Sequence, residues 1–256
     1  MPILKIHDSV AFYRHLATSS AICALSGRGG DVAATEFANR RILQSLDLVP
    51  DDFLLDIGCG DGCLLRMAEG LVCDRVGIVP TDEELQQVQA AVPGVTLLTG
   101  VVQHLPLPSD SFSKIVCNSV LLLLESESVV QDALQEIARV ARKDALIFLG
   151  EIPYAEEPAS LGRYHGNSLS RFLWHQFKRR GTGDLLRSIR STASAIAGRQ
   201  TLILSSAGSF YSLPDHFIAM AQQCGLRPVT HFKYQRLDSS GIVIESPFRY
   251  NYIFLK

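Results

Sequence analysis

Short apolar runs alternate with amphipathic stretches along most of this chain. Phe53–Ile57, Arg75–Val79, Val95–Thr99, Lys114–Val120 and Ala145–Glu151 each read as a buried strand, too short to be helices. The stretches between them carry helical signals. Residues 62–70 follow a glycine turn, and Thr81-Asp82-Glu83-Glu84 reads as a capping box that opens a helix running to about Ala91, before Pro93-Gly94. Over Ser128–Arg142, Val130, Leu134, Ile137, Ala138 and Ala141 recur at the spacing of one helix face. Upstream, Phe12, Leu16 and Ile22 give residues 8–25 an apolar stripe, and a second helix spans Thr35–Leu46. Near the end, Pro214–Cys224 reads as a helix closed by Gly225, followed by Arg227–Tyr234 and Tyr250–Leu255, two strands able to pair as a hairpin. Strands that alternate with helices require right-handed crossovers, so the class is α/β with a doubly wound, mostly parallel sheet.

The first of these strands ends in Asp56-Ile57-Gly58-Cys59-Gly60-Asp61-Gly62, an acid followed by three glycines at alternate positions and then a helix. Glycine lets the backbone turn sharply and leaves no side chain between chain and ligand. A strand, a glycine turn and a helix N-terminus make a cofactor cradle at the carboxyl end of a parallel strand. The dinucleotide fingerprint G-x-G-x-x-G asks for glycine where this chain has Cys63.

The form G-x-G-x-G with Asp56 ahead resembles motif I of the class I S-adenosylmethionine (SAM) methyltransferases. Other segments are similar to that family. Val101-Val102-Gln103-His104-Leu105-Pro106 resembles its adenine-flanking loop, Asp110-Ser111-Phe112 through Ile115–Ser119 its strand to the methyl-transfer site, and Leu134–Arg142 the helix that follows. The resemblance covers roughly residues 35–152 and 212–256. It implies a seven-stranded, Rossmann-like methyltransferase fold with SAM as cofactor and a helical insertion after the fifth strand. By the same resemblance Asp56 orients the turn and meets the methionine moiety. Gly58, Cys59, Gly60, Asp61 and Gly62 form the cradle, and Val79 and Pro80 stand at the ribose position. Val102 and Gln103 flank adenine, with Asn118 and Ser119 near the transferred methyl. His104 is expected to pack on the cofactor, and Tyr13 to cover it.

Three positions depart from the family pattern. Val79 replaces the acid that would accept both ribose hydroxyls, Val101 the aspartate of the adenine loop, and Ser113 an aspartate after Phe112. A lost charge-assisted hydrogen bond weakens binding by about 1.5–3 kcal/mol, roughly one to two decades. Asp82, Glu83 and Gln103 are the nearby polar residues that could compensate. The alternative reading is a protein of this fold with weakened or lost SAM binding, acting as a binding or regulatory partner. An NAD-dependent oxidoreductase conflicts with Cys63 and Val79.

With 256 residues, 47% hydrophobic and 20% charged, the chain suits one globular unit with an inserted piece. We divide it into an N-terminal helical cap (1–48), a SAM-binding core (49–152 and 213–256) and a basic helical lid (153–212). No apolar run approaches a membrane span and no signal-peptide layout is visible, so the expected location is cytoplasmic. Six cysteines scattered without a C-x-x-C pair read as buried thiols, with no metal expected.

Within the insert, Ser168–Arg179 and Asp184–Ala197 read as helices, with Trp174 as packing. Arg163–Arg199 holds eight basic residues and one acid, which leaves −9 for the remainder of a chain of net charge −2. A positive lid over an acidic body points to an anionic acceptor, either a small molecule or one linked to a sugar or lipid. A solvated helical face and a peripheral membrane contact are the competing readings of the same charge. With a pI near 6.4 and no recognition module, nucleic acid is disfavoured as a partner, and oligomeric state is left open. His165, Glu151 and Tyr154 are the candidate bases for an acceptor that must lose a proton.

Overall fold

The computed structural model describes residues 3–4, 9–26, 31–154, 202–203, 210–238 and 240–256. Seven strands form the main sheet: β2 (Phe53–Ile57), β3 (Asp74–Val79), β4 (Thr96–Thr99), β5 (Phe112–Asn118), β6 (Ala141–Pro153), β8 (Arg227–Leu237) and β9 (Val243–Leu255). Their order is β4-β3-β2-β5-β6-β9-β8. The pairs from β4 through β6 are parallel, whereas β9 runs antiparallel to both β6 and β8. The doubly wound, mostly parallel sheet and the C-terminal hairpin both match the sequence reading. A separate two-residue pairing of β1 (Ile3–Leu4) with β7 (Leu202–Ile203) was not foreseen.

Strand alternation explains how the sheet buries both faces. Leu55, Ile57, Ile115, Cys117, Ile147 and Leu149 point to one side, where they pack with α5 (Glu127–Val140) and α6 (Pro214–Gln223). Leu54, Val116 and Phe148 point to the other, against α2 (Val32–Leu46), α3 (Cys63–Met67) and α4 (Asp82–Ala91). A sheet covered on both sides reads as continuous apolar runs, which is why its parallel strands were legible.

Boundaries moved where capping decided them. The N-terminal helix α1 (Ser9–Ser19) ends before residue 25, and a 3₁₀ turn takes over at Ile22–Ser26. Asp31 caps α2, its side chain accepting from Ala34 N–H, so this helix begins earlier than Thr35. Helix α5 stops at Val140 and β6 begins immediately, leaving Arg142 on a strand with its guanidinium over the Phe53 ring.

At the amino end of the sheet, Asp52 ties three elements together. Its carboxylate accepts from Ser113 Oγ (2.7 Å) and Val49 N–H (2.9 Å), while Ser113 Oγ accepts from Phe53 N–H. Lys114 Nζ reaches the Leu46 and Asp47 carbonyls that end α2. Ser113, a departure from the family pattern, is therefore a structural link at the amino end of the sheet.

The predicted insert helices, Trp174, Arg179, Arg180 and His165 lie outside the described residues.

Candidate functional site

In a doubly wound sheet the ligand crevice opens where strand order reverses, at the carboxyl ends of the central strands. Here that place is the gap between the tips of β2 and β5. A cavity of about 1040 Å³, counting its open mouth, lies there. Its floor is the turn after β2, and its flanks come from α4, the loop 100–103 and the tip of β5. Val10 and Tyr13 of α1, with Leu25 and Ser26, close it from above. Helix α1 is fastened onto α4 by an ion pair of Arg14 with Glu83 (3.3 Å) and by a hydrogen bond from Gln87 Nε2 to the Ala17 carbonyl.

The turn achieves its shape through three left-handed residues, Gly58, Gly60 and Gly62, with φ of 73°, 57° and 72°. A Cβ at Gly58 would come within 2.4 Å of Val120 Cγ2, and one at Gly60 within 3.0 Å of the Leu25 carbonyl. The N–H groups of this turn are mostly committed. Gly58 and Cys59 N–H both donate to the Ile78 carbonyl, Gly62 N–H to the Cys59 carbonyl, and Cys63 N–H to the Asp61 carboxylate. A diphosphate needs such donors free, so this cradle is unsuited to a dinucleotide.

Its charge leads to the same conclusion. Asp56, Asp61 and Glu84 line the cavity, and no Lys, Arg or His does so among the described residues. Burial, with Asp61 beside it, pushes the Asp56 carboxyl up to about 7. Burial does the same for Glu84, to about 7, partly opposed by the Thr81 hydroxyl. Burial, and then Asp56 and Glu84, also raise the Cys59 thiol, which keeps it protonated and unreactive. Carboxyls held this way gain from a cation and repel an anion. A sulfonium with an ammonium group fits that chemistry, and the tight glycine floor fits a ligand lying flat across it.

Residues 55–149 match the family model for a methyltransferase domain. Several solved structures share the fold. A chain from the Haloferax volcanii complex of the Trm112 methyltransferase activator with a methyltransferase superposes with TM-score 0.63 at 12% identity, over 98% of this chain and 99% of that one. A SAM-dependent methyltransferase from Methanosarcina mazei gives 0.56 at 17% identity, over 84% and 96%. The [4+2]-cyclase SpnF gives 0.58 at 15%, over 91% and 77%. A search of the curated proteins returns no significant match. Over residues 55–149 the chain thus carries a methyltransferase domain, on the fold that solved SAM-dependent methyltransferases share.

In that domain the expected cradle comes together. Asp56, Gly58, Cys59, Gly60 and Asp61 line the cavity, joined by Pro80, Val102, Gln103, Asn118 and Ser119. Gly62 lies just behind them as the residue before α3, its Cα facing Val88 and Val92. Tyr13 is on the wall, as expected of a covering residue. Val79 is not, because it is fully buried in the core against α4 and offers the cavity nothing. His104 is exposed and off the wall, in a tight turn that its N–H closes onto the Val101 carbonyl.

Two of the three candidate bases are described, and neither lines the cavity. Glu151 is buried one layer behind Asn118, accepting from Asn118 Nδ2 (3.3 Å) and paired with Arg249. Tyr154 packs edge-on against Tyr250, at 5.8 Å between centroids. Sequence reasoning missed Glu84, Leu25 and Asn39 as wall residues. The capping-box reading had already found Glu84, without showing that its carboxyl is turned inward.

Proposed function

We propose that this domain transfers the SAM methyl group to an anionic acceptor, a small molecule or one linked to a sugar or lipid, under a basic lid formed by residues 153–212. SAM supplies an electrophilic methyl on a sulfonium, and the protein contributes mainly alignment. Asp56 and Asp61 offer the charge that holds the cationic end at the β2 turn. Asn118 and Ser119, at the tip of β5, border the space an acceptor would enter, and Glu151 fixes the Asn118 amide from behind.

The observation that carries the cofactor half of this reading is the wall itself, three carboxyls with no basic side chain among the described residues. The acceptor half rests on charge segregation along the sequence, since the stretch from Arg163 to Arg199 holds eight basic residues and one acid in an otherwise acidic chain. His165, within this segment, is the group we assign to proton removal where the acceptor requires it, since Tyr154 is off the cavity wall and packed on Tyr250. Among the described residues no helix is long and apolar enough to cross a membrane. We place the protein in the cytoplasm, with a peripheral membrane contact in reserve should the acceptor be lipid-linked.

Turnover of a panel of phosphorylated, carboxylated and neutral acceptors tests the proposal, with Arg179→Glu plus Arg180→Glu as the comparison. Anionic acceptors should be preferred, and the charge reversal should raise their KM at least tenfold while sparing neutral ones. Equal turnover of both classes by both proteins would remove the electrostatic lid. The second reading, a non-catalytic member of the fold, draws on Val79. It predicts no heat on titration with SAM or S-adenosylhomocysteine (SAH) at millimolar ligand.

A further inference from the structure

We propose that the Glu84 carboxyl holds the ribose diol of the cofactor, in place of an acid at the tip of β3. The proposal rests on the SAM reading of the cavity and assigns one subsite within it. A vicinal diol presents two O–H donors side by side, and a carboxylate is the side chain best shaped to accept both. The tip of β3 cannot do this, because Val79 is sealed in the core and Pro80, which follows it on the wall, has no polar side chain.

Three consecutive acids open α4, and the helical rotation between them sends each in a different direction. Asp82 accepts from Thr99 Oγ1 (2.7 Å), and Glu83 pairs with Arg14 in solvent. Glu84 alone of the three lines the cavity, at 1% exposure, near enough to Cys59 of the glycine turn for its charge to raise that thiol. Its hydrogen bonding is incomplete for so buried an acid. Thr81 Oγ1 lies 3.4 Å from Oε1, no cation among the described residues is bonded to it, and the same threonine already serves Glu84 N–H at 3.3 Å. Helix capping explains the contact with Thr81 but needs no carboxylate facing a cavity. Burying a carboxyl with so few partners is costly, and two hydroxyls arriving with a ligand would complete its coordination.

Calorimetry on the full chain tests the assignment, using SAH and its 2′-deoxy, 3′-deoxy and 6-deamino (inosyl) analogues. Wild type should bind SAH about 10- to 100-fold more tightly than either deoxy analogue. Glu84→Ala should bind SAH weakly, with the deoxy discrimination reduced to less than about threefold and the discrimination against the inosyl analogue unchanged. Glu84→Gln, which preserves the cap, should fall between. Each ratio is taken within one variant, so partial unfolding does not mimic the result. Wild-type deoxy discrimination persisting in Glu84→Ala would overturn the assignment while leaving the cofactor reading intact, as would loss of inosyl discrimination instead. No binding of SAH by folded wild type would remove both.

Discussion

Asn118 Nδ2 donates to Glu151 Oε1 at 3.3 Å, joining the carboxyl-end tips of β5 and β6 just behind the cavity. The arrangement is closely built. Gly150 has no Cβ because one would fall 2.1 Å from Asn118 Oδ1, and Glu151 itself takes a left-handed φ of 61° while its N–H donates to Asn251 Oδ1. Arg249, from β9, pairs with the other carboxylate oxygen. Strain concentrated at such a position points to a functional constraint, and this geometry makes Glu151 a positioning residue for Asn118.

That role separates two variants. Glu151→Ala should cost about 1–3 kcal/mol in stability, because it strands the Asn118 amide and half-frees a partly solvated arginine. It should also lower kcat about tenfold or more. Glu151→Gln keeps an acceptor for Asn118 and should recover most of kcat, as a general base would not. Denaturant melts and steady-state kinetics on both variants decide the matter, and equal inactivity of the two would return Glu151 to the bases.

A second expectation concerns pH. Asp56 and Glu84 titrate near 7 in the folded protein, against 3.8 and 4.5 as ordinary carboxyls, chiefly because they are buried. Between pH 4 and 7 the folded state therefore binds more protons than the unfolded one. Stability without ligand should fall by a few kcal/mol as pH rises through that window. Asp61, Glu83 and the neutral Cys59 and Cys117 thiols are the titratable groups beside them. A cationic ligand favours the ionised carboxyls, so SAM affinity should climb from pH 6 to 8 and then level, with proton release. Calorimetry in buffers of different ionisation enthalpy measures that release, which Asp56→Asn should diminish.

The fold was legible because its parallel strands are buried on both faces and stand out as apolar runs. Glycine spacing likewise exposed the cradle from Asp56 to Gly62. What escaped the sequence was direction. Spacing alone cannot tell which of Asp82, Glu83 and Glu84 faces inward, since one residue rotates a helix by about 100°. Glu151 was visible as a polar residue ending a strand, but its pairing with Arg249 spans 98 positions of sequence. Val79 looked like a site residue by alignment, whereas the pleat turns its side chain into the core.

The glycine floor yields a prediction with two separable parts. Gly58→Ala places a Cβ 2.4 Å from Val120 Cγ2 at a φ of 73°. The left-handed backbone costs about 1–2 kcal/mol for an L side chain, and the clash adds to it. SAH affinity should fall at least tenfold. Adding Val120→Ala relieves the clash while leaving the backbone strain, so the double variant should regain part of the affinity and not all. Full recovery would mean the turn tolerates the backbone without strain.

The last prediction concerns the loop that carries Val102 and Gln103 into the cavity. It is stapled from α5: Leu105 N–H donates to Glu136 (2.9 Å), and Arg139 donates to the Leu105 and Leu107 carbonyls at 3.1 and 2.8 Å. Arg139 also grips Glu136 through two N–H groups, at 2.7 and 2.8 Å, and this pairing lowers the Glu136 carboxyl below its usual range. A depressed carboxyl stabilises the fold above its unfolded pKa, and the contribution disappears as pH falls through the folded one. Partial solvent exposure keeps the effect modest, about 1–2 kcal/mol for Arg139→Ala. Loosening the loop should weaken SAH binding several-fold without touching any wall residue. Arg139→Lys should not rescue it, because an ammonium cannot serve two carbonyls and a carboxylate in one plane. Melting temperatures and SAH titrations of the two variants check this, and wild-type SAH affinity in the Arg139→Lys variant would show that charge alone holds the loop.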